Sequence, residues 1–496
     1  MITVSSDSPA RAPRSRWLVP ALAIGFALAM AMLARGYLEA DEITHLLCAQ
    51  AVWHDWGHLV NIWGRLGATG LYALAAPLGP VGPRMLAAGV TALTGWGTNR
   101  LLRHFLPESR GGHFRRHATA YAWLLLLAQP CFLLHTSTVM TEMLLACTWV
   151  WALVALCSRR VLLAGALLGL GGLMRPEGWI AVAVWPVLLL LWRGGQTRRP
   201  ALREMIQISL STGLALLPMA GWYLLGVVVW HDWRWLAQAW PWSPVSQYGR
   251  SGVMFLGAAL IALAVWMWVP VAAGAWACWK NRASSGDGLH VLVLPAAGFF
   301  ALHGTLGVLG LFGSMSLPRY FIAVAPLLAV LAVVGLMHMD SRRGGWLRGA
   351  VITLALAPLA VLVALRYLPM PLTVEQAQLE VIVRALRARG INGGDGLIVW
   401  QPYVALRLGL NPGAPTQVRV FSRAALARAP AGTLLIGDTT LWFTEGRPGS
   451  AELKKWGYRE DPDVAAAVDA VPVRFEALTL KAPAAAGEHV RLWVKE

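Results

Sequence analysis

Tyr37-Leu38-Glu39-Ala40-Asp41-Glu42-Ile43-Thr44-His45 follows directly on the first long apolar run of the chain, Trp17 to Met32. Three carboxylates and a histidine therefore stand where a membrane-spanning helix emerges into water. Ionisable groups at such a boundary are costly unless they face a wet cavity or take part in chemistry. The remainder of the chain agrees with a membrane reading. Of its 496 residues 57% are hydrophobic and 14% charged, where a soluble domain carries roughly a quarter charged residues. Mean hydropathy is +0.55. This is the composition of a polytopic α-helical membrane protein.

The formal net charge of +17 invites a nucleic-acid reading, but the basic residues lie in short loops between apolar runs. That distribution sets membrane topology and argues against a nucleic-acid partner. Cys48, Cys131, Cys147, Cys157 and Cys278 are scattered without pairing or metal-ligand spacing, which disfavours a disulfide framework or a zinc site. Arg11, Arg14 and Arg16 ahead of an apolar run resemble the start of a signal peptide. Many further spans follow, so the run reads as a first transmembrane helix with residues 1–16 in the cytoplasm.

Spans of about 20 apolar residues are the unit to count. They fall near 17–36, 83–105, 118–136, 141–157, 160–174, 178–192, 205–229, 252–279, 289–312, 320–338 and 348–368. About 11 transmembrane helices carry the chain from inside to outside. On this topology the inner loops hold about nineteen basic residues and the outer loops about six, a bias of the expected sign. The outer face instead carries acids and aromatics, so chemistry is expected there. The first outer loop, 37–82, includes an amphipathic helix expected from Ile43 to about 53 and an apolar Gly- and Pro-rich stretch suited to the interface. A second, 230–250, is rich in Trp, and the tetrapeptide Trp-His-Asp-Trp occurs at both 53–56 and 230–233. These indoles suit either an aromatic belt at headgroup level or a wall against a sugar or lipid headgroup.

Composition changes after Pro369. Val374, Leu379, Ile382, Val383 and Leu386 give an amphipathic helix over 372–390, and strand-like runs follow at 396–400, 433–437 and 490–494. Residues 371–496 are thus expected to form an extracytoplasmic α/β domain, with residues 17–370 as the membrane catalytic part. No phosphate loop, dinucleotide fingerprint or metal cluster is legible in it.

Asp41 and Glu42 are the strongest local signal. Adjacent side chains diverge, so each is expected to have its own partner: one as general base on an acceptor hydroxyl, the other orienting the acceptor or a cation. The same pair also suits the N-terminus of the helix that follows. Arg175-Pro176-Glu177-Gly178 marks an outer turn between two short spans, where Arg175 can bind phosphate or pair with Glu177 or another acid. Arg319-Tyr320, after Pro318, opens the tenth span. An arginine on the outer face runs against the topology bias and offers phosphate a planar, permanently charged fork. His135 and Glu142 bracket the outer turn between the third and fourth spans.

The arrangement as a whole resembles the GT-C superfamily of glycosyltransferases. Leu71-Tyr72 through Gly82-Pro83-Arg84-Met85-Leu86 to Arg100-Leu101-Leu102-Arg103 looks like the matching stretch of bacterial members related to protein mannosyltransferases and the aminoarabinose transferase. The Arg-Pro-Glu-Gly turn and the Pro-Arg-Tyr also fit. The resemblance covers roughly residues 17–370. It implies a hexosyl- or pentosyltransferase of the inner (plasma) membrane, mannosyltransferase-like, working on the cell envelope. Its donor is a polyprenyl-phosphate sugar, and its acceptor an extracytoplasmic glycan, lipid or protein. Transfer inverts the anomeric centre. It assigns Asp41 as base, Glu42 as acceptor or metal partner and Arg319 as a contact of the lipid phosphate; it fixes no cofactor and leaves a divalent cation open. The C-terminal domain lacks an oligosaccharyltransferase-type Trp-Trp-Asp signature, which disfavours sequon-directed transfer. The rival reading is a transporter or flippase of lipid-linked or amphipathic substrates, which expects charges near mid-span and repeated broken helices. Here the charges gather at one edge. A polymerase or ligase of lipid-linked glycans would carry arginine-rich outer loops.

The topology is open to test. A reporter that is active only in the cytoplasm, fused after Glu496, is expected to stay dark; a bright signal rejects the eleven-span arrangement.

Overall fold

The computed structural model describes residues 17–61, 65–106, 112–194, 202–238, 257, 265–281, 288–311, 317–340, 346–365, 367–391, 396–399, 401–410, 423–437, 448–472 and 490–496. The N-terminal arginines, Trp240, Trp242, Tyr248 and the first part of the span expected at 252–279 lie outside the described residues. The chain is mostly helical with one small sheet near its C-terminal end. The apolar runs become α1 (Leu18–Leu33), α4 (Val81–Phe105), α5 (Gly112–Leu127), α7 (Thr141–Cys157), α8 (Val161–Met174), α9 (Pro176–Gly194) and α10 (Leu202–Trp230). They continue as α12 (Trp268–Lys280), α13 (Leu294–Leu309), α14 (Ala325–Asp340) and α15 (Trp346–Ala364). Among the described residues three stretches are long and apolar enough to cross a membrane on length and composition alone: Leu202–Trp230, Leu289–Leu309 and Pro318–Met339.

Among the described residues, two of the expected spans that are not uniform α-helix change conformation at a proline. The one placed at 118–136 stops at Leu127 and resumes as the short α6 (Pro130–Leu134). Pro130 has no N–H to continue the ladder, and it holds Gln129 in extended backbone. The Gln129 amide then donates to Leu125 O at 3.2 Å and Ala325 O at 3.0 Å, tying the break to the start of α14. The span placed at 320–338 begins as a 3-10 turn, Pro318–Val324, before α14 takes over. Small residues bring helices together elsewhere: a Cβ at Gly165 or Gly169 of α8 would overlap the Ser211 or Ala215 backbone of α10.

Between α1 and α4 lie α2 (Ala40–Ala51), a 3-10 turn Trp56–Val60, α3 (Leu66–Ala73) and a 3-10 turn Ala76–Leu78. The helix expected from Ile43 thus begins three positions earlier than its apolar pattern indicates. Leu74 and Leu78 are exposed, as suits a segment at a lipid interface. The indoles of the second Trp-rich stretch divide. Trp230 and Trp233 are exposed, while Trp235, in α11 (Trp235–Gln238), is buried against Trp222 with ring centroids 5.2 Å apart. Trp222 Nε1 donates to Leu59 O at 3.2 Å and Trp235 Nε1 to Tyr223 O at 3.1 Å, so these two rings close a core and do not form an open wall.

The C-terminal part builds α16 (Val374–Ala388) on the i, i+3, i+4, i+7 stripe of Leu379, Ile382, Val383 and Leu386, all buried. Thr373 and Gln376 cap it reciprocally. Four strands follow, β1 (Leu397–Val399), β2 (Leu434–Gly437), β3 (Tyr458–Glu460) and β4 (Arg491–Lys495), in the order β1-β2-β4-β3. β1 and β2 are parallel, with Ile398 opposite Leu435; β4 runs antiparallel to both β2 and β3. The strand at 458–460 is one the sequence pattern does not reveal, because its three residues Tyr-Arg-Glu carry a single apolar side chain.

The core of this C-terminal part is not self-contained. Tyr37, Ile43, Leu46 and Leu47 belong to the same buried cluster as Leu379, Ile382, Val404 and Leu492. The chain before α2 is also stitched to the start of the domain: Arg35 and Gly36 N–H donate to Met370 O at 3.0 and 3.1 Å. The Gln376 amide accepts from Tyr37 N–H at 3.0 Å and donates to Tyr37 O at 2.7 Å. A Cβ at Gly36 would overlap the Pro371 carbonyl oxygen, so glycine permits this approach. Leu46→Ala is expected to cost about 2–5 kcal/mol, the usual range for emptying a buried leucine site, and to lower the unfolding midpoint in detergent. An unchanged midpoint would remove α2 from that core.

Candidate active site

With α2 beginning at Ala40, Asp41 and Glu42 occupy its first turn, where carboxylates complement the positive end of the helix dipole. Consecutive residues on a helix diverge, and these two find different partners. Glu42 is fully buried. Its Oε2 accepts from Leu38 N–H at 2.9 Å, and its Oε1 lies 3.4 Å from both Arg84 Nε and Val139 N. Arg84, in the first turn of α4, also donates to Ala34 O at 2.8 Å and Gly36 O at 2.5 Å, with its guanidinium 4.3 Å from the centre of the Tyr37 ring. One buried pair thereby fixes residues 34–38 against α4 and the segment before α7.

Asp41 points to the other side and pairs with Arg319. The same guanidinium pairs with Glu39, and its Nε lies 3.4 Å from Glu142 Oε1. Glu142, in the first turn of α7, also pairs with Arg175. Arg175 stands at the junction of α8 and α9 in extended backbone, the conformation expected of a residue before proline. It forks onto Glu177 at 3.1 and 2.8 Å and donates to Thr141 Oγ1 at 3.1 Å. Arg65 donates to the same Thr141 oxygen at 2.8 Å. Its φ of 56° is in the left-handed region, an unfavourable conformation for a long side chain. Among the described residues its buried Nε has no hydrogen-bond partner. The Tyr320 ring lies 5.4 Å from the Arg175 guanidinium and 5.8 Å from that of Arg319. His303 stacks on Tyr320 at 5.0 Å, with Nε2 3.7 Å from Glu177 Oε1.

The electrostatics of the first loop follow from this crowding. Burial, and then the charge of Glu142, push the Asp41 carboxyl above its ordinary value against the pull of Arg65 and Arg175. Burial and the nearby Arg175 push the Arg65 guanidinium down to about 10. His45, one turn beyond Asp41, is pushed down to about 3 by burial and by Arg65 and Arg175, so it is neutral at physiological pH.

Of the residues singled out in the sequence, Asp41, Glu142, Arg175, Glu177, Arg319 and Tyr320 are brought together at one end of the helical bundle. Glu42 stands behind them with Arg84. His135 is buried and bonds through Nδ1 to Cys131 O, at 2.7 Å, in its own helical turn. Glu39, Arg65, Thr141 and His303 complete the cluster without having been singled out. Arg65 was open to the argument applied to Arg319, an arginine on the face that the topology bias leaves poor in cations. His303 was open to the suspicion that attaches to any ionisable residue inside an apolar span. Among the described residues no group of three His, Cys, Asp or Glu side chains is arranged to hold a metal ion. The three carboxylates that converge do so on a guanidinium.

These features define a mostly helical bundle with paired charges gathered at one end, and its fold is shared by solved structures of ArnT. ArnT from Cupriavidus metallidurans in the apo state superposes with a TM-score of 0.58 at 15% identity, covering 86% of this chain and 93% of that one. ArnT from the same organism bound to undecaprenyl phosphate superposes with a TM-score of 0.53 at 18% identity, covering 80% of this chain and 75% of that one. No family model matches the chain, and no curated protein matches it significantly.

The Glu42–Arg84 pair makes a stability prediction. Arg84→Ala leaves a buried carboxylate and two carbonyls without their partner, which is expected to cost about 3–5 kcal/mol. Adding Glu42→Gln to it removes the unpaired charge and is expected to recover part of the loss. Thermal unfolding in detergent measures both; equal midpoints for the single and double variants would show that the pair is uncoupled.

Proposed function

We propose that this protein is an integral-membrane glycosyltransferase that moves a sugar from a polyprenyl-phosphate donor to an acceptor hydroxyl, with inversion. The observation that carries this reading is the convergence of Asp41 with Arg65, Arg175 and Arg319 at one end of the bundle. The ArnT fold supports it, one of those structures being bound to undecaprenyl phosphate. In this reading the eleven spans set that end of the bundle, with the domain at 371–496, on the outer face of the inner membrane. The sugar is a hexose or pentose, as in the mannosyl- and aminoarabinosyltransferases the sequence resembles.

The chemistry requires two opposed groups. The acceptor oxygen attacks the anomeric carbon as the bond to the phosphate oxygen breaks, and the bonding pair leaves on the phosphate. Asp41 takes the acceptor's proton. Its pKa, raised by burial and by the charge of Glu142, makes its carboxylate a stronger base than that of an ordinary aspartate. Arg319 and Arg65 receive the charge that develops on the leaving phosphate, as fixed cations in a site shielded from water. Arg65 brings to this task an Nε that has no hydrogen-bond partner among the described residues. Glu42 has no open face for an acceptor or a cation, so we assign it with Arg84 the work of holding the start of α2 in place. Glu177 and Glu142 keep Arg175 oriented, and Tyr320 supports both guanidiniums with its ring face.

Asp41→Asn keeps the size of the side chain and is about as good at a helix start as aspartate, so folding should be retained. Transfer should fall by about 10²–10⁴, the usual loss for a positioned base. The assay is purified protein with a panel of polyprenyl-phosphate sugars, followed by product analysis. Wild-type turnover should decline as pH falls through the raised Asp41 pKa, because only the carboxylate accepts a proton. Near-normal transfer by a stable Asp41→Asn protein would reject Asp41 as the base.

A further inference from the structure

Arg319 carries one positive charge and meets three carboxylates, those of Glu39, Asp41 and Glu142. Adding Arg175, Arg65 and Glu177, the cluster holds four carboxylates against three guanidiniums. An anionic phosphate entering beside Arg319 would enlarge this negative excess in a poorly solvated place, where like charges repel strongly. One carboxylate has to withdraw first. Glu142 and Glu177 are held by Arg175 and are the least exposed of the four, at 1% and 13% of their side-chain surface. Asp41 is fixed within the first turn of α2 on a short side chain. Glu39 is more open than Glu142 and Glu177, and Asp41, with 36% of its side chain exposed, is as open as Glu39, so backbone placement is what separates these two. Glu39 precedes the helix in extended backbone, its side chain caps no helical N–H, and 30% of that side chain is exposed.

We infer that Glu39 occupies the donor-phosphate position on Arg319 while the site is empty, and swings out when a polyprenyl phosphate binds. This rests on the donor-phosphate reading of Arg319 given above. Release of Glu39 frees Nη1 for the phosphate and leaves Nη2 on Asp41, so the guanidinium stays anchored to the first turn of α2 as the donor settles. Glu39 thereby sets the affinity for the donor: its carboxylate competes with the phosphate for the same edge of the same guanidinium, a geometry that both oxyanions match.

The test is binding of a polyprenyl monophosphate to the purified full-length protein in detergent. A carboxylate on a charged partner contributes on the order of 1.5–3 kcal/mol, so removing the competitor in Glu39→Gln should tighten binding about tenfold or more. In turnover the donor KM should fall while kcat stays near wild type, a split that a merely structural residue would not give. Glu39→Ala repeats the measurement if the glutamine variant fails to fold. Unchanged or weaker binding in the folded variants overturns the inference. Arg319→Ala separates the two levels. If it binds the phosphate as wild type does, the donor-phosphate reading falls, and the role of Glu39 with it. If it loses binding while the Glu39 variants bind as wild type does, only the competition fails.

Discussion

The structure depends on charge compensation where little water reaches. Arg175, Arg319, Glu142 and Glu177 are all largely buried, and each is tolerable only because the others are present. They come from the start of α7, the junction of α8 and α9, and the turn before α14, three places far apart in the chain. The cluster therefore acts as a register for the bundle end. A shift of any one helix by a turn would leave a buried charge without its counterion. Fixed charge of this kind is also what phosphate chemistry requires, because it stabilises a leaving anion without first reorganising solvent.

The second constraint is the placement of α2. Its apolar face, with Ile43, Leu46 and Leu47, is absorbed into the core of the C-terminal part, while its first turn faces the arginines of the membrane part. Gln376 adds two hydrogen bonds to the backbone of Tyr37, four positions before Asp41. Glu42 and Arg84 hold the same stretch from the membrane side. The short carboxylate of Asp41 thus sits on a helix clamped from both directions. That gives the C-terminal part a role in positioning α2, although none of its described residues adds a side chain to the charge cluster itself.

The helices were legible because long apolar runs stand out in composition: runs at 83–105, 141–157, 160–174 and 205–229 return as α4, α7, α8 and α10 within a few residues. The stripe Leu379, Ile382, Val383 and Leu386 likewise announced α16. Asp41, Arg175 and Arg319 were conspicuous because charge at the edge of an apolar span needs a reason, and the divergence of Asp41 from Glu42 followed from helical geometry. These are local properties, and a sequence carries them openly.

Other features depended on partners remote in sequence. Whether Arg319 faces a carboxylate or open space is decided by Glu39, Asp41 and Glu142, residues brought to it by three-dimensional packing. The start of α2 moved to Ala40 because its first turn is held by Arg319 and Arg84, forces that no apolar pattern records. The partners of Arg65 and His303 became known only from the packing, and the strand at 458–460 exists because β4 pairs with it. The sequence by itself determined that this chain lives in a membrane and which charges stand at its edge. Tertiary structure alone decided which of them meet, because compensation of a buried charge is a property of the pair and not of either residue.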